Sequence, residues 1–549
     1  MSAQSAIATF TRAVTVAAGV FAPGHLGELT QFAPFELVDD VLERTGAVQR
    51  RLRDLPSRVG MYFLLALGLY PDRGYGRVWA ELTAGLAGLD GLAVAAPSEK
   101  ALRDLRRRLG PAPAKALFEV LAGPLAWPYA PGVRFGGLRT VAFDGCSSIR
   151  VPDTARNRAW LGRPANAAGQ AGYPVVHLMG LAETGTRGLL GAVIGCAADG
   201  DEPALARRLL PLLGPGMLVL TDRAFDAGAF LAAVAGTGAH FLARAKASRS
   251  PLALQVLPDG SWLAQIAGMR VRIIEATVTV TGADGSRVQD SYRLITTLLD
   301  HRAFPAHRLV RLYHERWEIE SAYYALRHTL LDGRVLRSGD RPGIEQEIWA
   351  LLATCQLLRT AMTDATATRP GTDPDRASFT TALHTARDQL TAAAGIIPAD
   401  ARQPGAITRA VLATLLPARR PRYSARTIKT PASRYPARSH DTRPALPAAI
   451  TAITITITTP APGTRSRPPA RKRRTPNPGS HRDRVTTLLR TTPRRPWTAA
   501  ELAAQLSLPP PALRTLLCKW ARTGLLPRTR PGTYTLPATP PPLTNPPYP

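Results

Sequence analysis

The sequence predicts an α/β protein in several parts: a mixed sheet entered through a helical N-terminal domain, interrupted by an all-β insertion and followed by a small basic domain. Three observations carry that prediction. The hydrophobic spacing changes from helical to strand-like near residue 138. From there, short apolar runs mix with helical stretches, and two of the runs end in aspartate. After position 400 acidic residues nearly disappear: residues 401–549 hold 26 Lys or Arg against Asp441, Asp483 and Glu501 alone.

That last stretch carries +23 of the chain's formal +29 and 27 of its 50 prolines. Such a segment cannot pack tightly on itself, and it attracts polyanions by releasing their counterions. A GC-rich genome accounts for Arg over Lys and for abundant Pro and Ala, but not for the loss of acid, so nucleic acid is the favoured partner. At 549 residues, 45% hydrophobic and 20% charged, the chain has the make-up of a folded multidomain protein. Cys146, Cys196, Cys355 and Cys518 are too far apart for a disulfide scaffold or a cysteine zinc finger. No apolar run reaches the roughly 18–20 residues of a membrane span, and Ala6 to Pro23, interrupted by Arg12, does not read as a signal peptide. The expected setting is cytoplasmic, reduced and nucleoid-associated, with no membrane partner.

In chain order, apolar residues recur at helical spacing through Leu26, Leu29 and Phe32 and again through Leu37, Val38, Val41 and Leu42. A further helix starts at Ser98 and stops at Gly110. Leu138 to Asp144 reads as a strand, followed by strands near Val175–Leu181 and Leu189–Cys196 and a helix over Glu202–Leu213. Met217 to Asp222 suits a buried strand; a helix over Ala227–Val234, with Asp226 as its cap, leads to the strand His240 to Arg244. Strands Val271–Ile274, Ala276–Val280 and Tyr292–Thr297 make up the insertion, in which Trp262 is a core residue rather than a stacking platform for a base. Long helices return over Leu309–Leu331 and Ile344–Met362.

Near the end, Arg482–Leu489, Glu501–Leu506 and Ala512–Thr523 read as three helices. The second opens with the capping-box spacing Thr498 to Glu501, and Pro527–Leu536 suits a hairpin. Helix, turn, helix and β-wing is the layout of a winged helix, whose recognition helix would offer Arg514, Lys519 and Arg522 to a DNA groove.

Asp144 and Asp222 both close predicted strands, where α/β sheets bind ligands. A third carboxylate from the helix beyond the insertion (Glu315, Glu318 or Glu320) would complete an oxygen site for a hard divalent cation. Two such ions can serve phosphoryl transfer.

At this point the residues resemble a known family. Tyr313-x2-Arg316-x3-Glu320-x6-Arg327 is similar to the Y-x2-R-x3-E-x6-K signature of insertion-sequence-4 family DDE transposases. Asp144-Gly145 with Val151-Pro152-Asp153-Thr154 and Asn157 resembles the family's first-aspartate block. Thr221 to Phe225 with Phe241 to Arg244 resembles its second, and Leu336-Arg337-Ser338 its continuation. The resemblance spans about 20 to 365. It implies an RNase H-like core in which Asp144, Asp222 and Glu320 bind Mg2+ or Mn2+, while Tyr313, Arg316 and Arg327 hold phosphates of a transposon end. The family's lysine is Arg327 here: the charge is kept, but the grip is longer and bidentate. On a helix these four residues fall along one stripe.

The expected domains are a helical DNA-binding domain at 1–130, a catalytic core at 131–247 and 304–365 around the β insertion at 248–303, and a helical extension at 366–417. A basic Pro-rich linker without fixed structure is expected at 418–479, a winged-helix-like DNA-binding domain at 480–537 and a disordered tail at 538–549. The implied activity is metal-dependent cleavage and transfer of double-stranded DNA at transposon ends and target, by a homodimer in a synaptic complex. Two alternatives stand beside it: an inactive or domesticated DNA-binding derivative acting as a repressor, and a structure-specific nuclease with the same fold.

Overall fold

A computed structural model of the chain describes residues 25–49, 55–86, 94–162, 165–166, 169–170, 172–246, 248–283, 285, 287–314, 322–392, 405–417, 422–423, 448–461, 463, 481–491, 495–506, 513–514, 517, 520, 528–530 and 533–534. They fall into two compact units, 1–466 and 467–549.

The first unit opens with helices α1 (Phe35–Arg44), α2 (Ser57–Leu69), α3 (Tyr75–Thr83), α4 (Glu99–Leu109) and α5 (Ala112–Leu121). α2 is apolar on every face, and every residue in it except Arg58 is buried. α4 starts and stops where its sequence signals it. The Ser98 hydroxyl accepts from the Ala101 amide at 3.2 Å, and Gly110 turns the chain with φ of 65°.

The sheet begins with β1 (Leu138–Arg150), β2 (Val175–Glu183) and β3 (Leu189–Gly195). After the short helix α6 (Glu202–Arg207) come β4 (Met217–Thr221), α7 (Gly228–Gly236) and β5 (His240–Arg244). Neighbours run β3-β2-β1-β4-β5, with β1, β4 and β5 parallel and β2 reversed. Order 3-2-1-4-5 with the second strand reversed is the RNase H-like arrangement that the resemblance implies. Asp226 does not cap α7, whose N-cap is Ala227. Instead its carboxylate accepts from the Lys246 amide at 2.6 Å and the Arg249 guanidinium at 2.7 Å, closing the loop after β5.

The insertion adds β6 (Trp262–Ile266), β7 (Met269–Gly282) and β8 (Arg287–Thr296), β8 pairing with β5 so that the sheet continues outward. Trp262 is fully buried, in keeping with a core residue. Next come α8 (Ala306–His314), a π-helical turn at Ala325–Leu330 and the long helix α9 (Arg341–Ala367). The π turn is marked by the Leu331 amide donating to the Leu326 carbonyl at 2.9 Å, a five-residue step. Most of α9 is buried, and Thr354 on it donates to the Leu65 carbonyl of α2 at 3.1 Å. A buried ion pair at 3.1 Å between Arg106 of α4 and Glu347 of α9 joins the N-terminal helices to the core.

Part of the expected linker is a strand. β9 (Ala448–Ile457) lies antiparallel to β7, with Val278 opposite Ile455 and Val280 opposite Ile453. Its isoleucines at 453, 455 and 457 pack on the core while alternate residues face outward. The tail at 538–549 lies outside the described residues.

The second unit contains α10 (His481–Thr491), β10 (Trp497–Thr498), α11 (Ala499–Gln505), β11 (Arg528–Arg530) and β12 (Thr533–Tyr534), the strands pairing in the order β10-β12-β11. The capping box forms: Thr498 Oγ1 accepts from the Glu501 amide at 3.2 Å, and Glu501 Oε2 accepts from the Thr498 amide at 2.8 Å. Its core joins Val485, Leu489, Trp497, Leu502, Leu513, Leu517 and Tyr534. Among the described residues, no helix is long and apolar enough to cross a membrane.

Candidate active site

β1 and β4 pair in parallel, Val141 with Val219 and Ala142 with Leu220. Two residues beyond that last pair stand Asp144 and Asp222, on neighbouring strands spaced about 4.8 Å apart; Asp222 follows the end of β4, whereas β1 does not stop at Asp144 as its apolar run suggested but continues to Arg150. Each strand emerges there from a closed core, so both side chains are half-buried rather than fully enclosed. Asp222 also caps the turn Arg223–Phe225, accepting from the Ala224 amide at 2.8 Å.

Alternation decides which face the two carboxylates share. Asp144 lies in phase with Ala142 and Cys146, and Asp222 with Leu218 and Leu220. Those four apolar neighbours belong to one cluster with Tyr313, Tyr323 and Leu326. The acidic pair thus lies on the face covered by α8 and the π turn.

Two phenols join that cover to the strand ends. Tyr313, buried on α8, donates to the carbonyl of Thr221, the residue before Asp222, at 3.1 Å. Tyr323 donates to the carbonyl of Asp144 itself at 3.0 Å. Burial, then the negative charges of Asp144, Cys146 and Glu202, hold the Tyr323 hydroxyl well above its ordinary range, so it stays a donor. Arg327, within the π turn, donates to the Ser148 hydroxyl on β1 at 2.6 Å. The π turn adds a residue to the local repeat, so Arg327 does not keep the azimuth that a uniform α-helix would give it.

Asn157 donates to the carbonyls of Pro152 and Ser338 at 3.0 and 3.1 Å, and Thr154 to that of Gly339 at 2.6 Å. The first-aspartate block is thereby tied to the start of α9.

A carboxylate that the sequence reading passed over also lies here. Glu202, first residue of α6, rests against Gly145: a Cβ at that glycine would lie 2.4 Å from Glu202 Oε1. Burial, then the charges of Asp222 and Asp201, push its carboxyl above the ordinary value. The signal was present in the glycine after Asp144, which leaves room beside the strand end, but nothing in the sequence named what fills it.

Glu320 and Arg316 lie outside the described residues, as do Lys519 and Arg522; Arg514 is exposed on the second unit. Among the described residues no three His, Cys, Asp or Glu side chains converge on a metal position. Asp144 and Asp222 are oxygen donors of the kind that a hard divalent cation takes.

The family described as "Insertion element 4 transposase N-terminal" matches residues 23–119, and the family described as "Transposase DDE domain" matches residues 136–358. The transposase InsG for insertion sequence element IS4 of Escherichia coli (strain K12) is 27% identical over 330 residues, covering 58% of this chain and 72% of the relative. Among solved structures, a piggyBac transposase synaptic complex with hairpin DNA aligns with a TM-score of 0.35 and 8% identity, over 71% of this chain and 85% of that one.

Proposed function

The chain belongs to the insertion-sequence-4 family of DDE transposases, and from that premise we propose how its residues divide the work. It is a DNA transposase that cleaves and transfers DNA strands with divalent metal ions. Asp144, Asp222 and Glu320 hold the metal, Mg2+ or Mn2+. The observation that supports this most is the parallel pairing of β1 and β4 through Ala142 and Leu220, two residues before Asp144 and Asp222. The third, Glu320, falls in the sequence between Tyr313 and Tyr323. Glu320 stands three positions before Tyr323, a Cα separation of at most about 11 Å.

When bound, the metal activates the attacking oxygen and steadies the leaving one. The carboxylates supply its oxygen ligands and the negative charge that draws it. Arg327 and Arg316 hold phosphates of the transposon end, Arg327 reaching from the π turn toward the exposed Ser148. In the first step, water adds to a phosphodiester phosphorus and the P–O3′ bond breaks, leaving a 3′-OH and a 5′-phosphate. In the second, that 3′-OH adds to a target phosphodiester and displaces another 3′ oxygen, one bond exchanged for one.

End recognition is assigned to the N-terminal helices and to the second unit, with Arg514, Lys519 and Arg522 as its groove contacts and the basic stretch after 400 as its backbone contact. A homodimer brings two ends together in a synaptic complex.

The test is a supercoiled plasmid carrying a pair of element ends, incubated with the protein and Mg2+. Excised and inserted products are the expected result. Cutting without joining would make the protein a nuclease, and binding without cutting a repressor.

A further inference from the structure

A basic cavity of about 300 Å3 opens between α4 and the chain that leads into α9. Arg103, Arg106, Arg107 and Arg337 line it, against a single carboxylate, Asp340. Arg106 is held fast: its guanidinium donates to Gln346 at 3.0 Å, to Glu347 at 3.1 Å, to Ser338 at 3.2 Å and to the Tyr75 hydroxyl. Arg103 and Arg107 stand exposed one turn apart on α4, in line with the exposed Lys100. We propose that this cavity is a phosphate seat, where a phosphodiester of duplex DNA lies between Arg103 and Arg107 on one wall and Arg337 to Gly339 on the other. The proposal deepens the transposase reading above and rests on it.

Like charges gathered round a hollow repel one another unless an anion fills it, and a cleft of one sign concentrates its field there. The chain supplies little of that anion itself. Among the described residues no carboxylate pairs with Arg103, and Arg107 has only Asp104, 3.7 Å away and as open to water as Arg107 is. Glu347 does not line the cavity; it is buried and committed to Arg106, the Arg337 amide and the Ser338 hydroxyl. A guanidinium presents a planar fork that meets two phosphate oxygens at once, so two exposed arginines beside a fixed third suit a phosphodiester. The far wall is anchored to the catalytic core. Asn157 and Thr154, in the first-aspartate block, donate to the carbonyls of Ser338 and Gly339. A phosphate seated there is fixed relative to the chain that follows the strand of Asp144.

The experiment compares the full chain with Arg103→Ala, Arg107→Ala, Asp340→Asn and Arg44→Ala. Dissociation constants are read for an element-end duplex and for an unrelated duplex of equal length across a salt series, beside the urea unfolding midpoint. Each cavity arginine removed should flatten the slope of log affinity against log salt by about 0.9 and weaken binding about tenfold at about 0.1 M salt. The loss should be equal on the two duplexes, because a phosphate contact carries no sequence, and the unfolding midpoint should stay at the parent's. Asp340→Asn keeps a cap for the Gly343 amide, which now donates to Asp340 at 3.1 Å, but removes the cavity's carboxylate. It should tighten both duplexes about threefold, the scale of one exposed charge. Arg44, paired with Asp40 on α1 and outside the cavity, should leave the slope as it is in the parent.

Unchanged slopes in both arginine variants would make these residues a solvated helix face and overturn the proposal. So would a loss confined to the element end, which belongs to base reading, or one that comes only with a lowered unfolding midpoint. If Asp340→Asn left both affinities unchanged, the contact would lie on α4 alone and the cavity would not be its seat. A parent that binds both duplexes without cutting or joining ends would refute the transposase reading separately, and the salt slopes would still decide the seat.

Discussion

Acidification should weaken the N-terminal helices through one imidazole. His25 is 1% exposed; its Nε2 lies 3.0 Å from the Leu82 carbonyl and its Nδ1 3.3 Å from the Gly27 amide. Those partners fix the neutral tautomer: Nε2–H donates and Nδ1 accepts. A second proton on Nδ1 would face the Gly27 N–H and break that bond. Burial lowers the pKa from 6.5 to about 4, against a smaller upward pull from the Leu82 carbonyl. Because the folded value is depressed, the unfolded chain takes up the proton first. Stability is therefore intact above pH 6.5, lost as pH falls and fully lost below about 4. At 1.36 kcal/mol per pH unit the whole loss is about 3.4 kcal/mol, and at pH 4.5 about 2.5 kcal/mol. Urea unfolding of the parent and of His25→Gln at pH 7.0 and 4.5 measures it, since other titrating groups act equally on both. The gap between the two proteins should narrow by about 2.5 kcal/mol at the lower pH. Parallel pH profiles would refute the assigned tautomer and its burial.

Asp144→Ala, Asp222→Ala and Glu320→Ala should each abolish end cleavage while sparing end binding, read by gel shift beside the plasmid assay; normal cutting by any one removes that residue from the site. Arg106→Met removes the ionic partner of buried Glu347, leaving it the Arg337 amide and the Ser338 hydroxyl, and should destabilise the first unit by about 3 kcal/mol in urea unfolding, whereas a well-placed double replacement should recover much of it. Glu202→Gln should raise the melting temperature of the metal-free protein at pH 7.5. The carboxyl is raised in the folded state, so ionising it opposes folding above its ordinary pKa of 4.5, and the gain should vanish as the pH drops below that value.

The strands bearing Asp144 and Asp222 were legible from their apolar runs, but only β4 stops at its acid; β1 runs on from Asp144 to Arg150, where its burial gives way to exposed positions. Their adjacency was not legible, since register between strands more than seventy residues apart is set by packing. The spacing splits β7 in two at Glu275, a charged residue inside an apolar pattern. The strand runs through because Arg293, directly opposite on β8, donates to that carboxylate at 2.6 Å. A single helix over Leu309–Leu331 overlooks the π turn, for apolar periodicity does not register one extra residue. Asp226 after a strand and before a helix reads as a cap, and only the return of the chain at Lys246 and Arg249 shows what it holds. Tyr323 stood three residues past Glu320 in plain view. Its hydroxyl meets the carbonyl of Asp144, 179 positions earlier, a coincidence in space that no local pattern carries.

The strand at Ala448–Ile457 has a practical corollary for how much of the polypeptide a working protein requires. The sequence matched to the DDE domain ends at 358, yet the border of its own insertion is closed by backbone supplied ninety residues later. A chain shortened before 448 would leave the amides and carbonyls along Ala276 to Gly282 facing water beside a row of valines and threonines, a ready template for another molecule's strand. Trimming at the apparent domain limit should therefore yield a sticky protein, and the basic tract between must be long enough to make the journey back.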